Sequence, residues 1–186
     1  MRRTKGKTDF YRSWEAYKQG FGCDSDDFWL GNDAIYNLTN TYDHELRIDA
    51  QNEDGEHLFA HYTSFSIMDE KHGYRLRVGP LSARTTDGNS TDLGFTEYNG
   101  ERFSTHDHRP PRRLHPYDYD RCKHYKDLKK LQGGWWFERI TLIKDCHFAL
   151  LFSISNLNAG WDRGVKLETR RQEYFLTSTE MKIRRI

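Results

Sequence analysis

The stretch Leu131 to Trp161, LQGGWWFERITLIKDCHFALLFSISNLNAGW, is the densest apolar segment in a chain of 186 residues whose mean hydropathy is −0.97. It sets a tryptophan pair, Trp135 and Trp136, ahead of the run Phe148 to Ile154, with Cys146 and His147 between them. That run is far short of the ~20 residues needed to cross a bilayer, so it reads as a buried strand. The β-branched and aromatic residues of Ile140 to Ile154 suit a pleated, half-buried setting, while Lys144, Asp145 and His147 oppose entry into lipid.

The rest of the chain is polar but not featureless. Its 5 Trp, 11 Tyr and 11 Phe are far more than a disordered chain of this polarity would carry, and they are enough to build one aromatic core. The net charge of +1 gives no global attraction to nucleic acid or an acidic membrane. The local clusters Arg109, Arg112, Arg113 and Lys129, Lys130 read as solvated loop charge. The N-terminus, MRRTKGKTDFYRSW, lacks the apolar core of a signal peptide.

Outward from the tryptophan pair, Phe10, Trp14, Tyr17 and Phe21 recur at helical spacing, with Thr8 or Asp9 as cap and Gly20 and Gly22 as stop. A second short helix is expected over Gly31 to Leu38, with Ile35 and Leu38 facing inward. Alternation then turns strand-like in ELRIDA (Leu46, Ile48, Ala50), HLFAHYTSFSI and YRLRVG, with EDGE as the turn between the first two. From Pro80 to Gln132 the periodicity fades, and a long irregular region of that kind is usually functional or cross-linked. Two helices followed by a meander predict an α+β domain.

The segments FYRSWEAYKQGFG, DDFWLGNDAIYNLTN, ELRID, FSTHD, GGWWF, CH, SNLN and EMKIRR occur in the order found in fibrinogen-related domains. The chain resembles the ficolins and the tachylectin or ixoderin type of invertebrate lectin over nearly its whole length, except Ile140 to Ile154 and the Arg109 to Leu131 loop. The resemblance implies one fibrinogen C-terminal-like domain over residues 1–186. It would have two short helices, a central antiparallel sheet and an irregular binding subdomain within 80–186. It also implies that the family's N-terminal subdomain is missing, that ERITLIK and FALLFSI are inserted, and that the loop after SNLN is shortened to AGWDRG.

In that family a D-x-D loop after FST holds calcium, and a neighbouring pocket takes the acetyl group of N-acetylated sugars. Here Asp107 is kept, but Arg109 stands where the second carboxylate belongs, and a cation there opposes a calcium ion that needs hard oxygen ligands. No cofactor is therefore expected. Asp118 and Asp120 could form a shifted D-x-D, and His106, His108 and His115 with Asp107 a looser metal-ligating set, but each reads more readily as ordinary solvated loop composition.

The resemblance further implies a disulfide between Cys122 and Cys146, leaving Cys23 unpaired; three reduced thiols in a cytosolic chain stay open as the alternative. The backbone N–H groups of Cys146 and His147 would hold the acetyl oxygen, with Phe137, Trp161 and Tyr174 as aromatic walls. Each of these also reads as an ordinary core residue. Asn37 and Asn89 begin N-x-S/T sequons.

The implied function is a secreted, extracellular lectin of innate immunity that recognises N-acetylated glycans on microbial surfaces. The alternative is a protein-interaction module that keeps the scaffold without sugar or calcium binding. Nucleic acid and membrane insertion are excluded as partners. No residue set forms a catalytic constellation, so an enzyme is not expected.

Overall fold

The computed structural model describes residues 1–4, 7–82, 93–108, 133–136, 165–168 and 173–186, with 165–168 and 173–175 described by backbone alone. The elements run β1 (Arg2–Arg3), α1 (Trp14–Gln19), β2 (Phe21–Gly22), β3 (Phe28–Trp29), α2 (Asn32–Thr41), β4 (His44–Asn52), β5 (His57–Tyr62), β6 (Phe65–Ile67), β7 (Leu76–Val78), β8 (Val165–Glu168) and β9 (Glu173–Arg185). Single 3-10 turns occupy Glu70–His72 and Phe95–Tyr98. This is the expected α+β class with two short helices and an antiparallel sheet.

The expected aromatic face of the first helix is divided between α1, β2 and the segment before α1. Ser13, not Thr8 or Asp9, caps α1, accepting from the Ala16 N–H at 3.4 Å, so Phe10 precedes the helix and Phe21 falls in β2. The four side chains still pack together. Phe21 meets Phe10 and Tyr17 edge-on with centroids 5.2 and 5.0 Å apart. The chain reverses sharply after α1, and the reversal keeps the aromatic contacts without a continuous helix.

Helix α2 begins after Gly31 and runs to Thr41. Ile35 is buried as expected, but Leu38 is 47% exposed, and Thr39, one turn after Ile35, is buried in its place. The Thr39 hydroxyl donates to the Ile35 carbonyl at 2.7 Å, so a polar residue is accommodated on the inner face. That leaves the branched Leu38 to solvent.

The main sheet has the order β2-β3-β1-β9-β4-β5, with β8 also paired to β9. Strands β4 and β5 form the expected hairpin, in which Leu46, Ile48, Ala50, Leu58, Ala60 and Tyr62 are all buried. Its turn is held by Asn52, whose Oδ1 accepts from the Glu56 N–H at 2.8 Å. The segment HLFAHYTSFSI does not continue as one strand. It divides at Thr63 and Ser64, and β6 pairs with β7 in a separate two-stranded sheet.

A simple meander does not describe the sheet either. Within the span 80–186, residues Glu173–Arg185 form the longest strand, lying between β1 and β4 and pairing with His44 to Asn52. The C-terminal end of the chain thus completes the middle of the sheet.

The outward face of that sheet carries ion pairs. Glu45 lies 2.5 Å from Arg184 and 2.9 Å from His61, and Asp49 is 2.8 Å from Arg47 and 3.1 Å from Lys182. Partial burial works against the charged Glu45 carboxylate, but the hydrogen bonds from Arg184 and His61 outweigh it, so it titrates below the usual glutamate range. A carboxyl with a depressed folded pKa stabilises the fold above its unfolded value, about 4.3, and loses that contribution as pH falls through the folded value. Glu45→Gln is therefore expected to lower the thermal midpoint at pH 7. The gap to the parent should narrow between about pH 5 and pH 3, as read by thermal melts across pH.

Gly31 gives a sharper test of the packing. Its φ is 103°, and a Cβ there would lie 2.6 Å from the Gln19 carbonyl oxygen. Gly31→Ala combines left-handed strain with a backbone clash and is expected to cost about 2–3 kcal/mol in chemical denaturation, against about 1 kcal/mol for Gly55→Ser, where φ is 80° but the space around the turn is open.

Candidate functional site

The region is assembled around an aromatic cluster. Trp29, Phe103 and Trp136 lie with centroids 5.1 to 6.2 Å apart, and Tyr17 packs on Trp29 and Phe103. Gly134 permits this closeness: a Cβ there would sit 2.8 Å from ring carbons of both Phe103 and Tyr17. The polar ends of the rings are satisfied by backbone. Trp136 Nε1 donates to the Tyr74 carbonyl at 2.7 Å, and the Tyr17 hydroxyl donates to the Phe10 carbonyl at 2.8 Å. Burial pushes the Tyr17 phenol well above its ordinary range, so it remains a neutral donor.

Two segments singled out from the sequence meet on this cluster. Ser104 and Trp135 form an antiparallel bridge, with N···O distances of 2.9 and 3.1 Å, that lays FSTHD beside GGWW. From there the loop turns outward through His106, Asp107 and His108, all exposed.

Asp107 is tied to α1. Its Oδ1 accepts from the Trp14 N–H at 3.0 Å and from the Thr105 hydroxyl at 2.7 Å. Partial burial opposes its charge, and the Thr105 and Trp14 hydrogen bonds outweigh that, holding the carboxyl below the usual aspartate range. The flanking histidines are stacked on aromatics: His106 on Tyr11 at 4.5 Å and His108 on Trp14 at 3.9 Å.

The other edge of Trp14 is held by the 3-10 turn at Glu70. Its indole N–H donates to Glu70 Oε1 at 3.1 Å, and Lys18 bridges Glu70 Oε2 at 2.6 Å. Neither the Asp107 cap nor the Glu70 clasp has a local sequence signal, because each joins positions more than fifty residues apart.

The described residues do not make a calcium cage. Asp107 already spends one carboxylate oxygen on two donors, and among the described residues no group of three His, Cys, Asp or Glu side chains is placed to hold a metal. Arg109, His115, Asp118 and Asp120 lie outside the described residues, as do Cys122, Phe137, Cys146, His147, Trp161 and Asn89. Tyr174 lies on β9, where its backbone pairs with Leu167. Cys23 is free and exposed in the turn before β3. Asn37 is exposed on α2, although the Thr39 of its sequon is buried. No helix among the described residues is long and apolar enough to cross a membrane.

The model of the C-terminal globular domain of fibrinogen beta and gamma chains matches residues 1–186. Ryncolin-4 of Cerberus rynchops is 39% identical over 164 residues, covering 88% of this chain and 40% of that protein. Angiopoietin-related protein 2 of Mus musculus is 38% identical over 137 residues, or 74% of this chain and 24% of that protein. The chain thus spans less than half the length of these curated relatives. Among solved structures, the fibrinogen-like globe domain of human ANGPTL2 superposes with a TM-score of 0.75 at 31% identity, covering 99% of this chain and 77% of that one. With a matching family model, these relatives and the shared globe fold, the chain belongs to the family of fibrinogen C-terminal globular domains.

Proposed function

We propose that this domain is a non-catalytic recognition module that binds N-acetylated glycans outside the cell, without calcium. The observation that supports this reading is the Ser104 and Trp135 pairing, which joins the FSTHD loop to the GGWW segment directly ahead of Phe137. In the proposed site the backbone N–H groups of Cys146 and His147, held by a disulfide from Cys146 to Cys122, donate to the acetyl oxygen. Phe137, Trp161 and Tyr174 enclose the acetyl methyl group. A small apolar socket with a few fixed donors suits an acetamide, because preorganised donors cost little on binding.

A second reading, an interaction module that has left sugar binding behind, draws support from Asp107. In that reading its carboxylate serves helix α1, not a ligand.

Retention on an N-acetylglucosamine resin separates the two readings. The glycan reading expects retention that is reversed by free N-acetylglucosamine, not by glucose, and is lost in Cys122→Ser. Passage of the folded parent protein straight through the resin supports the interaction module instead.

Calcium independence has its own measurement. Millimolar calcium is expected to leave the melting temperature within about 1 °C, since a ligand stabilises only through preferential binding to the folded state. Asp107→Ala is expected to cost about 1–2 kcal/mol by removing the acceptor for the Trp14 N–H. A rise of many degrees with calcium, abolished in Asp107→Ala, would overturn this part of the proposal.

A further inference from the structure

A cavity of about 320 Å³ opens on the side of the domain where α2 ends, β4 begins and the β6–β7 hairpin folds over. It shares no residue with the proposed glycan site. Its polar lining is Asp43, His44, Ser64, Ser66, Arg77 and Asn99. Its size falls within the ordinary range of small-molecule pockets, about 300–1,000 Å³.

Much of that polar lining has no side-chain partner among the described residues. Elsewhere on the surface, Lys18, Arg47, Lys182 and Arg184 each lie within 3.1 Å of a carboxylate oxygen. Arg77 has no such partner among the described residues, and neither does Asp43, although both line the same cavity. The Ser64 and Ser66 hydroxyls are likewise without a partner among the described residues. Asn99 accepts from the Val78 N–H through its oxygen at 3.1 Å, which leaves its NH2 group available. His44 is fixed by a 2.7 Å contact between Nδ1 and the Tyr42 carbonyl; in the neutral ring Nδ1 is then the donor and Nε2 an acceptor.

A guanidinium and a carboxylate that line one cavity without meeting leave room for something between them. The guanidinium fork matches a carboxylate in two parallel hydrogen bonds, and hydroxyl and amide donors beside it complete the shell. Asp43 disfavours ligands of higher negative charge, such as a phosphate monoester, and accepts a donor from the far side of the ligand. Phe65 and Val78, both nearly buried, supply an apolar floor.

We propose that this pocket binds a small molecule bearing a single carboxylate, held by Arg77 and flanked by Ser64, Ser66 and Asn99, with a ligand donor directed to Asp43. Two sources present that chemistry. A hexuronate of an acidic glycan offers hydroxyl donors to Asp43, and an amino acid or peptide terminus offers an ammonium.

Ligand-observed NMR titration of the full chain tests the proposal with glucuronate, alanine, glucose and the methyl ester of glucuronate. At least one of the two carboxylates is expected to bind with a Kd of a few millimolar or tighter, with glucose and the ester at least tenfold weaker. Arg77→Gln should weaken the bound carboxylate tenfold or more, and Arg77→Lys, which keeps the charge without the fork, by less. Asp43→Asn distinguishes the sources, because it should weaken alanine severalfold more than glucuronate.

Added N-acetylglucosamine should not compete, so the outcome is independent of the glycan site. The proposal is overturned if neither carboxylate binds below about 10 mM, corresponding to a binding free energy weaker than about −3 kcal/mol. Equal binding of the methyl ester, or affinity unchanged in both folded Arg77 variants, overturns it as well.

Discussion

The indole N–H of Trp29 is the point on which the domain turns. It lies 3.1 Å from both the Tyr17 carbonyl oxygen and Asn32 Oδ1, so one donor ties the last turn of α1 to the first residue of α2. The ring itself is 2% exposed and touches Tyr17, Phe103 and Trp136. Burial of aromatic area provides the energy, roughly 150–250 Å² per ring, but area has no preferred direction. An indole N–H left unpaired in such a place costs about 1–3 kcal/mol, and the Tyr17 carbonyl and Asn32 Oδ1 remove that cost for Trp29. The WLGN spacing fits this arrangement: Trp29 at the end of β3 meets Asn32 at the start of α2, and Gly31 lies against Gln19 with no side chain between them.

Around this point, the sheet links distant parts of the chain. Strand β9 pairs with β1 on one side and β4 on the other, so residues near the two ends of the sequence share hydrogen bonds in the centre of the sheet. Long-range pairing of this kind carries loop-closure entropy that must be offset before the contacts contribute. The early helices and the β4–β5 hairpin are local and need no such closure. The middle of the sheet therefore depends on elements that can form before the C-terminal strand arrives.

The legible parts of the sequence are those where the physical signal is local. ELRIDA and HLFAHY alternate with period two and form strands with the expected inward residues. The first helix was harder to bound, because four aromatics at helical spacing are equally compatible with a short helix and two flanking segments that fold onto the same core. Ser13 decided between them through a single hydrogen bond. Leu38 misled for a different reason: hydrophobicity alone ranks it above Thr39, yet Thr39 can bond back to Ile35 and donates its place in the helix to the interior at little cost. In strand β9 the alternation of Glu180, Met181, Lys182, Ile183 and Arg184 is itself a strand signal, but its place in the middle of the sheet rests on long-range pairing, with its outward charges matched against Glu45 and Asp49. Of the candidate site, Asp107 stands out in the FSTHD motif, and its bond to Thr105 is local, but its bond to Trp14, 93 residues away, has no local signal in the sequence.

Asp107 ties the FSTHD loop to α1 through one carboxylate oxygen. A calcium ion asks an aspartate for oxygen atoms free of other donors and for additional negative charge nearby. Here one oxygen instead receives an N–H from the first turn of α1 and a hydroxyl from Thr105, both of which stabilise the anion locally. The stacked His106 and His108 add ring contacts with Tyr11 and Trp14 on either side. These interactions fix the FSTHD loop against α1 through groups belonging to the protein itself, and the Ser104 bridge passes that order on to Trp135. An internal cap thus holds the loop against α1, and the geometry of the GGWW segment then depends on α1 being intact.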